Sequence, residues 1–342
     1  MNIALDATYS VGRDLSGVGV YSREMLAGLT RAHAESRFAF CYRPHRFLAS
    51  LGERLPRNAR RFWLGETRAP RSADIFHGLN QRLPHAPLRR AVTTFHDLFV
   101  LTGDYSTAEF RQRFAGQARD AARCSDRIIC VSQFTARQVI ELLGADPAQV
   151  RVVHHGVRPP RSLAAAREKT VLHVGALQRR KNIARLVEAF ESLPSDWRLV
   201  LAGSAGYGAA DIMAAIFASR ARDRIRVPGY VSQAELEAWY LRAMIFCFPS
   251  LDEGFGMPVL EAMAAGTPVI ASNRSAVAEV AGDAAWLIDP ENTGELAAAL
   301  VALARDAGKR AELASRGLAR AAQFTWEDAA AKTWAVYREL TG

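Results

Sequence analysis

The 342-residue sequence predicts an α/β fold built from two doubly wound, parallel-sheet domains. Short apolar runs alternate with longer amphipathic segments whose apolar residues recur near the helical period. The same alternation occurs in both halves of the chain, and hydrophobic residues make up 49% of it, enough for two cores. Ligands of such sheets bind at the carboxyl ends of the strands. We therefore expect a site in the crevice between the two domains.

The elements follow from the apolar runs, and each is predicted from its period and length. In the first half we predict strands over residues 3–7, 38–42, 75–77, 91–95, 127–131 and 150–154, and helices over 20–33, 109–124 and 133–143. In the second half we predict strands over 170–174, 198–202, 224–227, 245–249, 268–272 and 285–288, and helices over 183–193, 210–220, 233–243, 258–265 and 294–306. Ser232 and Glu235 form the pattern of a capping box at one helix start.

The domain boundary is expected where the composition turns loop-like after a strand. We assign residues 1–158 to an N-terminal domain and residues 168–322 to a C-terminal domain, joined by a linker over 159–167 that begins with two prolines. A last helix over 326–342 carries Trp326, Trp334 and Tyr337 at helical spacing. We expect it to cross back to the N-terminal domain.

The sequence argues against several classes of protein. The start of the chain lacks the basic and apolar pattern of a signal peptide, and no run of about 18 apolar residues could span a bilayer. The four cysteines have no metal-ligand spacing, and we expect them to be reduced and buried. A cytoplasmic protein is the expectation, with no metal site and no cofactor.

The net charge of +9 lies entirely in the first half. Residues 1–160 contain 23 arginines against 14 acidic residues, whereas the remainder has 21 basic and 21 acidic residues. Such an asymmetry indicates an anionic partner for the first half, and we expect that partner not to be nucleic acid. A codon bias towards arginine would produce the same excess.

The strongest local pattern lies over residues 248–263, where a strand is followed by a glycine-containing loop and a helix. Pro258 suits a first helical turn. The backbone N–H groups between Gly254 and Val259 would point at a phosphate at the helix N-terminus. Glu253 and Glu261 flank this anion site and could accept hydrogen bonds from sugar hydroxyls. Two surface glutamates beside an ordinary strand–helix turn would give the same spacing.

This block resembles the Glu-x7-Glu signature of glycosyltransferase family 4, a family of retaining enzymes with the GT-B fold of two Rossmann-like domains. Further segments match the family in the same order. They are the glycine-rich segment 16–21, the His96 segment 95–98, the turns at 131–135 and 155–157, the glycine-to-lysine loop 174–182 and the closing segment 271–285. Together the motifs cover nearly the whole chain.

The resemblance implies a role for each matched residue. The catalytic residues would be His96 near the reacting bond, Glu253 on the donor sugar and Lys181 on the leaving diphosphate. The donor-binding residues would be Gly17, Gly19, Arg180, Lys181, Glu253, Gly254, Phe255, Gly256, Met257 and Glu261. Glu261 would hold the ribose. Ala176 stands where many relatives have an arginine, which would pass that phosphate contact to Arg180. A structural hydrogen bond is the alternative role for His96.

The expected activity is transfer of a hexose, with mannose from GDP-mannose favoured, to a sugar or lipid-linked acceptor of cell-surface polysaccharide synthesis. The resemblance implies retention by front-face attack, and the sequence has no DxD-like metal motif. UDP-glucose or UDP-N-acetylglucosamine would suit the same motifs, and so would a catalytically silent sugar-nucleotide-binding protein. A nicotinamide-dependent oxidoreductase is disfavoured, because Ser22 occupies the place of the third glycine of its fingerprint.

One segment remains outside these motifs. Residues 43–64 mix six arginines with large apolar residues, a composition typical of peripheral contact with an anionic membrane. We expect attachment to the inner face of the plasma membrane. Apolar core residues rimmed by solvated arginines are the alternative.

Overall fold

The computed structural model describes residues 1–12, 15–160 and 166–342. The chain divides into two compact units. Unit 1 contains Met1–Thr102, Ala108–Gly156 and Thr325–Gly342, and unit 2 contains Gly103–Thr107 and Val157–Phe324. Of the predicted linker 159–167, residues 161–165 lie outside the described residues.

Unit 1 is built on a seven-stranded sheet whose paired strands are all parallel. Its strands are β1 (Asn2–Asp6), β2 (Arg37–Tyr42), β3 (Ala59–Trp63), β4 (Ile75–Gly78), β5 (Ala91–Phe95), β6 (Arg127–Cys130) and β7 (Val150–Val152). The strand order is β3-β2-β1-β4-β5-β6-β7. The order reverses between β1 and β4, the kind of switch point at which open α/β sheets bind ligands.

The helices of unit 1 follow its strands. They are α1 (Gly17–Ala32), α2 (Pro44–Ser50), α3 (Phe99–Thr102), α4 (Ala108–Cys124) and α5 (Gln133–Leu143). α1 begins three residues earlier than predicted, because the Ser16 hydroxyl accepts a hydrogen bond from the Gly19 N–H and caps the helix.

Unit 2 repeats the same topology with six parallel strands. Its strands are β8 (Glu168–Val174), β9 (Arg198–Ala202), β10 (Ile225–Gly229), β11 (Ala243–Phe248), β12 (Val269–Ser272) and β13 (Trp286–Ile288). The order is β10-β9-β8-β11-β12-β13, so the switch point lies between β8 and β11. The predicted pair of doubly wound sheets is confirmed.

The helices of unit 2 complete its two layers. They are α6 (Ile183–Phe190), α7 (Ala209–Ala218), α8 (Gln233–Arg242), α9 (Met257–Ala264), α10 (Ser275–Ala281), α11 (Thr293–Arg305) and α12 (Ala307–Ala321). The capping box predicted for α8 is present, with both reciprocal bonds between Ser232 and Glu235. One apolar cluster of the unit includes the buried Leu199, Phe190 and Ile245.

The last helix, α13 (Trp326–Thr341), belongs to unit 1. It packs against α1, where a Cβ on Gly28 would lie 3.1 Å from the Ala330 Cβ. The absence of a side chain at Gly28 lets the two helices approach closely. Trp334 stacks on His33 with ring centroids 3.5 Å apart, and the Tyr337 hydroxyl lies 2.6 Å from His77 Nδ1. The predicted return of this helix to the N-terminal domain is confirmed.

The cysteine prediction is wrong in one case. All four cysteines are free, and Cys41, Cys130 and Cys247 are buried as expected. Cys124 is exposed, because it lies off the face of α4 that is buried through Ala118, Ala121 and Ala122.

Candidate functional site

The loops that follow β8 and β11 meet at the switch point of unit 2, and most of the predicted site residues lie on them. The loop after β8 carries Arg180 and Lys181, and the loop after β11 carries Glu253. Because β8 and β11 are neighbouring parallel strands, their carboxyl ends bring residues 72 positions apart into contact.

Glu253 is bonded to both basic residues. Its Oε1 accepts from Lys181 Nζ at 2.5 Å, and its Oε2 lies 2.8 Å from Arg180 Nη1. All three side chains are largely buried, with exposed fractions of 8 to 11%. Arg180 also donates to the Asp252 carbonyl oxygen at 2.9 Å. The three charges therefore form one compact cluster.

The ionisation of Glu253 is set by two opposed effects. Burial alone would raise the pKa of the carboxyl group, but the charges of Arg180 and Lys181, with the hydrogen bonds they donate, outweigh burial. The pKa of Glu253 is consequently lowered to about 2. The carboxylate is negatively charged at any physiological pH.

Backbone and side-chain hydrogen bonds hold the two loops together around this cluster. Leu251 N–H donates to the Arg180 carbonyl oxygen at 2.8 Å. The Asn182 side chain donates to the carbonyl oxygens of Pro249 and Pro290 at 3.1 and 2.6 Å. These bonds fix the separation of the loops, and hence the distance between the cations and the carboxylate.

Ser275 and Tyr240 act on the site but were not among the predicted site residues. The Ser275 hydroxyl accepts from Glu253 N–H at 3.2 Å, and Ser275 has a φ of +56°, a strained value for a residue with a side chain. The Tyr240 hydroxyl donates to Glu261 Oε2 at 2.8 Å. Ser275 lies in the closing segment 271–285, but nothing in the sequence assigned a role to it or to Tyr240, because both act through contacts distant along the chain.

The predicted anion site lies at the start of α9. Gly256 caps the helix with a φ of +102°, which favours glycine, and Pro258 lies in the first turn as predicted. Gly254 and Phe255 are buried, whereas Met257 is partly exposed.

Glu261 lies one turn further along α9 and is partly buried. Burial raises the pKa of this carboxyl group, an effect that the bond from Tyr240 partly offsets. With Oε2 held by Tyr240, the orientation of the Glu261 carboxylate is fixed.

His96 lies in unit 1 at the end of β5, inside a group of aromatic rings. Its Nε2 donates to the Leu79 carbonyl oxygen at 2.9 Å. His155 stacks on it at 5.3 Å and Tyr21 packs edge-on at 4.7 Å. Burial lowers the pKa of His96 to about 4, so the imidazole is neutral at pH 7. The structural hydrogen bond that sequence left as an alternative role is present.

Gly17 and Gly19 occupy the first turn of α1 rather than a loop. A Cβ added at Gly17 would lie in open space, whereas one added at Gly19 would lie 2.8 Å from the Tyr9 carbonyl oxygen. The two glycines thus place a helix N-terminus beside residue 9.

Among the residues that the structure describes, no cluster of three or more histidine, cysteine, aspartate or glutamate side chains could hold a metal ion. None of the described helices combines the length and apolarity that crossing a membrane requires.

Two family models match this chain. The model described as Glycosyltransferase Family 4 matches residues 15–161, and the model described as Glycosyl transferases group 1 matches residues 159–320. The O-antigen chain mannosyltransferase B of Escherichia coli is 32% identical over 284 residues, covering 78% of this chain and 74% of that protein. The D-inositol 3-phosphate glycosyltransferase of Xylanimonas cellulosilytica is 33% identical over 240 residues, covering 64% of this chain and 58% of that protein.

Solved structures share the fold. Sucrose-phosphate synthase from Thermosynechococcus elongatus matches with a TM-score of 0.79 at 22% identity, over 100% of this chain and 99% of that one. The Anabaena protein HepE, in complex with UDP and glucose, matches with a TM-score of 0.73 at 18% identity, over 100% and 99% of the two chains.

Proposed function

Because this chain belongs to glycosyltransferase family 4, we propose that it transfers a hexose, mannose from GDP-mannose, to the hydroxyl group of a saccharide acceptor. The observation that carries this proposal is the meeting of Arg180, Lys181 and Glu253 at the switch point of unit 2. The likeness to an O-antigen mannosyltransferase supports mannose as the sugar, and cell-surface polysaccharide as the product. The acceptor would then be an oligosaccharide or a lipid-linked saccharide.

The buried charges suit a sugar diphosphate. When the bond to the sugar breaks, negative charge collects on the diphosphate, and fixed cations such as Lys181 and Arg180 stabilise it. The N-terminus of α9 adds backbone donors and the positive end of a helix dipole. Glu253 would accept bonds from sugar hydroxyls, and Glu261, oriented by Tyr240, would accept them from the ribose.

We propose retention without a covalent enzyme intermediate. Both oxygens of Glu253 are bonded to cations, and its pKa of about 2 makes it a weak nucleophile and a weak base. His96, with a pKa of about 4, is also a weak base. The acceptor hydroxyl would therefore pass its proton to a donor phosphate oxygen. The bond from the anomeric carbon to that phosphate breaks as the bond to the acceptor oxygen forms on the same face.

A thermal-shift screen across GDP-mannose, UDP-glucose, UDP-N-acetylglucosamine and ADP-glucose tests the donor. A ligand at one hundred times its Kd stabilises the native state by about 2.7 kcal/mol. We expect GDP-mannose to give the largest shift. A larger shift from UDP-glucose would make UDP-glucose the donor and leave the protein a hexosyltransferase. No shift from any sugar nucleotide would contradict the proposal.

The reaction itself is tested by nucleotide release and by NMR of the product. We expect an α-linked product from the α-linked donor, and unchanged turnover after treatment with EDTA, since we propose that no metal ion takes part. An inverted product would reject retention. Donor binding with no transfer to any acceptor would favour the catalytically silent alternative.

We also propose peripheral attachment to an anionic membrane through residues 43–64. Leu48 is 78% exposed and Leu51 is 57% exposed, so their side chains are available to a lipid surface. Arg46, Arg54 and Arg57 are exposed nearby. Arg43 and Arg61 are less suited to this role, because Arg43 is buried against Asp6 and Glu66 and Arg61 donates to backbone oxygens of residues 50 and 53. Arg60 is exposed on β3 and donates to the Ser72 hydroxyl.

A further inference from the structure

Unit 1 contains an elongated groove between the loop after β4 and helix α4. Its volume is about 1060 Å³, just above the usual range for ligand pockets, about 300–1,000 Å³. One wall is a single face of α4, because its lining residues recur every three or four positions. They are Phe110, Arg113, Phe114, Gly116, Gln117, Asp120, Ala121 and Cys124. The helix rises about 21 Å between the first and the last of these residues.

One end of this groove lies next to His96. The Leu79 carbonyl oxygen accepts the hydrogen bond from His96 Nε2, and the next two residues, Asn80 and Gln81, line the groove. The other end lies near Cys124, at the far end of α4. A ligand in the groove would therefore extend away from the residue that the sequence motifs place near the reacting bond.

The polar part of the lining combines amide side chains with charged ones such as Arg82, Arg113 and Asp120. Gln81 is only 7% exposed, and its Oε1 has no hydrogen-bond partner among the described residues. This oxygen is enclosed by the protein, whereas the amides of Asn80 and Gln117 are partly exposed in the groove. A hydroxyl group both donates and accepts, so it can bond either of these amides in either orientation. Gln117 donates to the Gln81 carbonyl oxygen at 3.2 Å and fixes the backbone there.

Aromatic rings supply the apolar part. Phe110 is 40% exposed, and its ring centroid lies 6.2 Å from that of Phe114. A sugar ring has an apolar C–H face and a rim of hydroxyls, and it can pack on such rings while bonding the amides. A hydrocarbon chain in the same groove would remove water from charged side chains of the lining such as Arg113 and Asp120, which is costly.

We propose that this groove binds an acceptor oligosaccharide of several units, with its reacting end towards His96 and its body along α4. This inference rests on the proposed transferase function and specifies its substrate class. A groove of this length would contact sugar units well beyond the one that reacts. Acceptor affinity should therefore increase with chain length.

The test uses oligosaccharides of two to six units of mannose, glucose, galactose, N-acetylglucosamine or rhamnose as probes, with Kd values measured by NMR titration. In at least one series we expect affinity to rise with length. Phe110→Ala and Gln117→Ala should each weaken the longest ligand about tenfold, the loss of about 1.4 kcal/mol, and change the disaccharide less than about twofold. Gln112→Ala is the matched control, since Gln112 is exposed on the same helix and does not line the groove.

The proposal is overturned if no oligosaccharide binds, if affinity is independent of length, or if the groove variants bind as the wild type does. Binding of a polyprenyl phosphate that Phe110→Ala abolishes would assign the groove to lipid and overturn it as well. GDP-mannose binding, measured on the same proteins, separates this failure from a failure of the proposed function. Donor binding should be equal in the wild type and all three variants.

Discussion

Replacing Glu253 by alanine tests the buried charge cluster directly. The change removes one carboxylate and leaves Arg180 and Lys181 buried without it. Breaking a buried pair in this way destabilises a protein by about 3–5 kcal/mol. The pKa gives a similar figure. A shift from about 4.3 in the unfolded chain to about 2 in the folded protein corresponds to about 3 kcal/mol at neutral pH.

The pH dependence follows from the sign of this shift. Because folding lowers the pKa of Glu253, its contribution is fully present above about pH 5 and is lost as the pH falls towards 2. The stability difference between the wild type and Glu253→Ala should therefore be largest at pH 7. It should narrow steadily below about pH 4.

Thermal unfolding measures this difference. For a domain of this size 1 kcal/mol corresponds to about 2–4 °C, so a loss of about 3 kcal/mol in Glu253→Ala should lower the Tm by about 6–12 °C at pH 7. Glu188→Ala, at an exposed position of α6, is the control and should change stability by less than about 0.5 kcal/mol. A Glu253→Ala protein within about 1 kcal/mol of the wild type at pH 7 would refute the reasoning.

The same variant separates two roles of Glu253. We expect turnover to fall about a hundredfold, the scale for losing one positioned polar contact in the transition state. GDP affinity should be unchanged or higher, because the two cations are no longer partly neutralised. A parallel loss of GDP affinity and turnover would show that Glu253 binds the nucleotide rather than the sugar.

Three other predictions concern separate parts of the molecule. Lys181→Ala should weaken GDP binding and slow transfer together, both about tenfold or more, and an unchanged Kd by calorimetry would show that the phosphates lie elsewhere. Tyr240→Phe should raise the KM for donor severalfold with kcat nearly unchanged, since it releases Glu261 from its hydrogen bond. A fall in kcat, measured by steady-state kinetics, would show instead that Tyr240 acts in the chemical step. Changing Leu48 and Leu51 to serine should reduce co-sedimentation with anionic vesicles at low salt, and equal, negligible binding of the wild type to anionic and neutral vesicles would reject membrane attachment.

The regular elements could be predicted because their cores are continuous apolar runs. β5 (Ala91–Phe95) and β11 (Ala243–Phe248) agree with their predicted ranges to within two residues at each end, since both are almost completely buried. The edge strand β3 was missed. Its sequence is ARRFW, it is only partly buried, and its arginines suggested a basic surface segment instead of a strand. α12 was missed as well, because its face towards α9 uses few apolar residues, among them Leu313 and Ala321.

The contacts within the site were harder to predict from the sequence than the regular elements. Glu253 lies on a loop, and its spacing alone also suited a surface glutamate, yet it is 7% exposed and bonded to two cations. No spacing rule relates residues 181 and 253, whose contact depends on β8 and β11 lying side by side. Likeness to a family could identify each of these residues separately. Only the folded sheet brings their opposite charges into contact.

The place of α13 in unit 1 has a consequence for biosynthesis. The ribosome makes the strands of unit 1 first, but the helix that covers Gly28, stacks on His33 and bonds to His77 is made after nearly all of unit 2. At about 5–20 residues per second, the N-terminal sheet waits many seconds for its last helix while unit 2 can already fold. During that interval the α1 surface is uncovered and open to chaperones or to aggregation. The domain that is translated first is therefore the last to be completed.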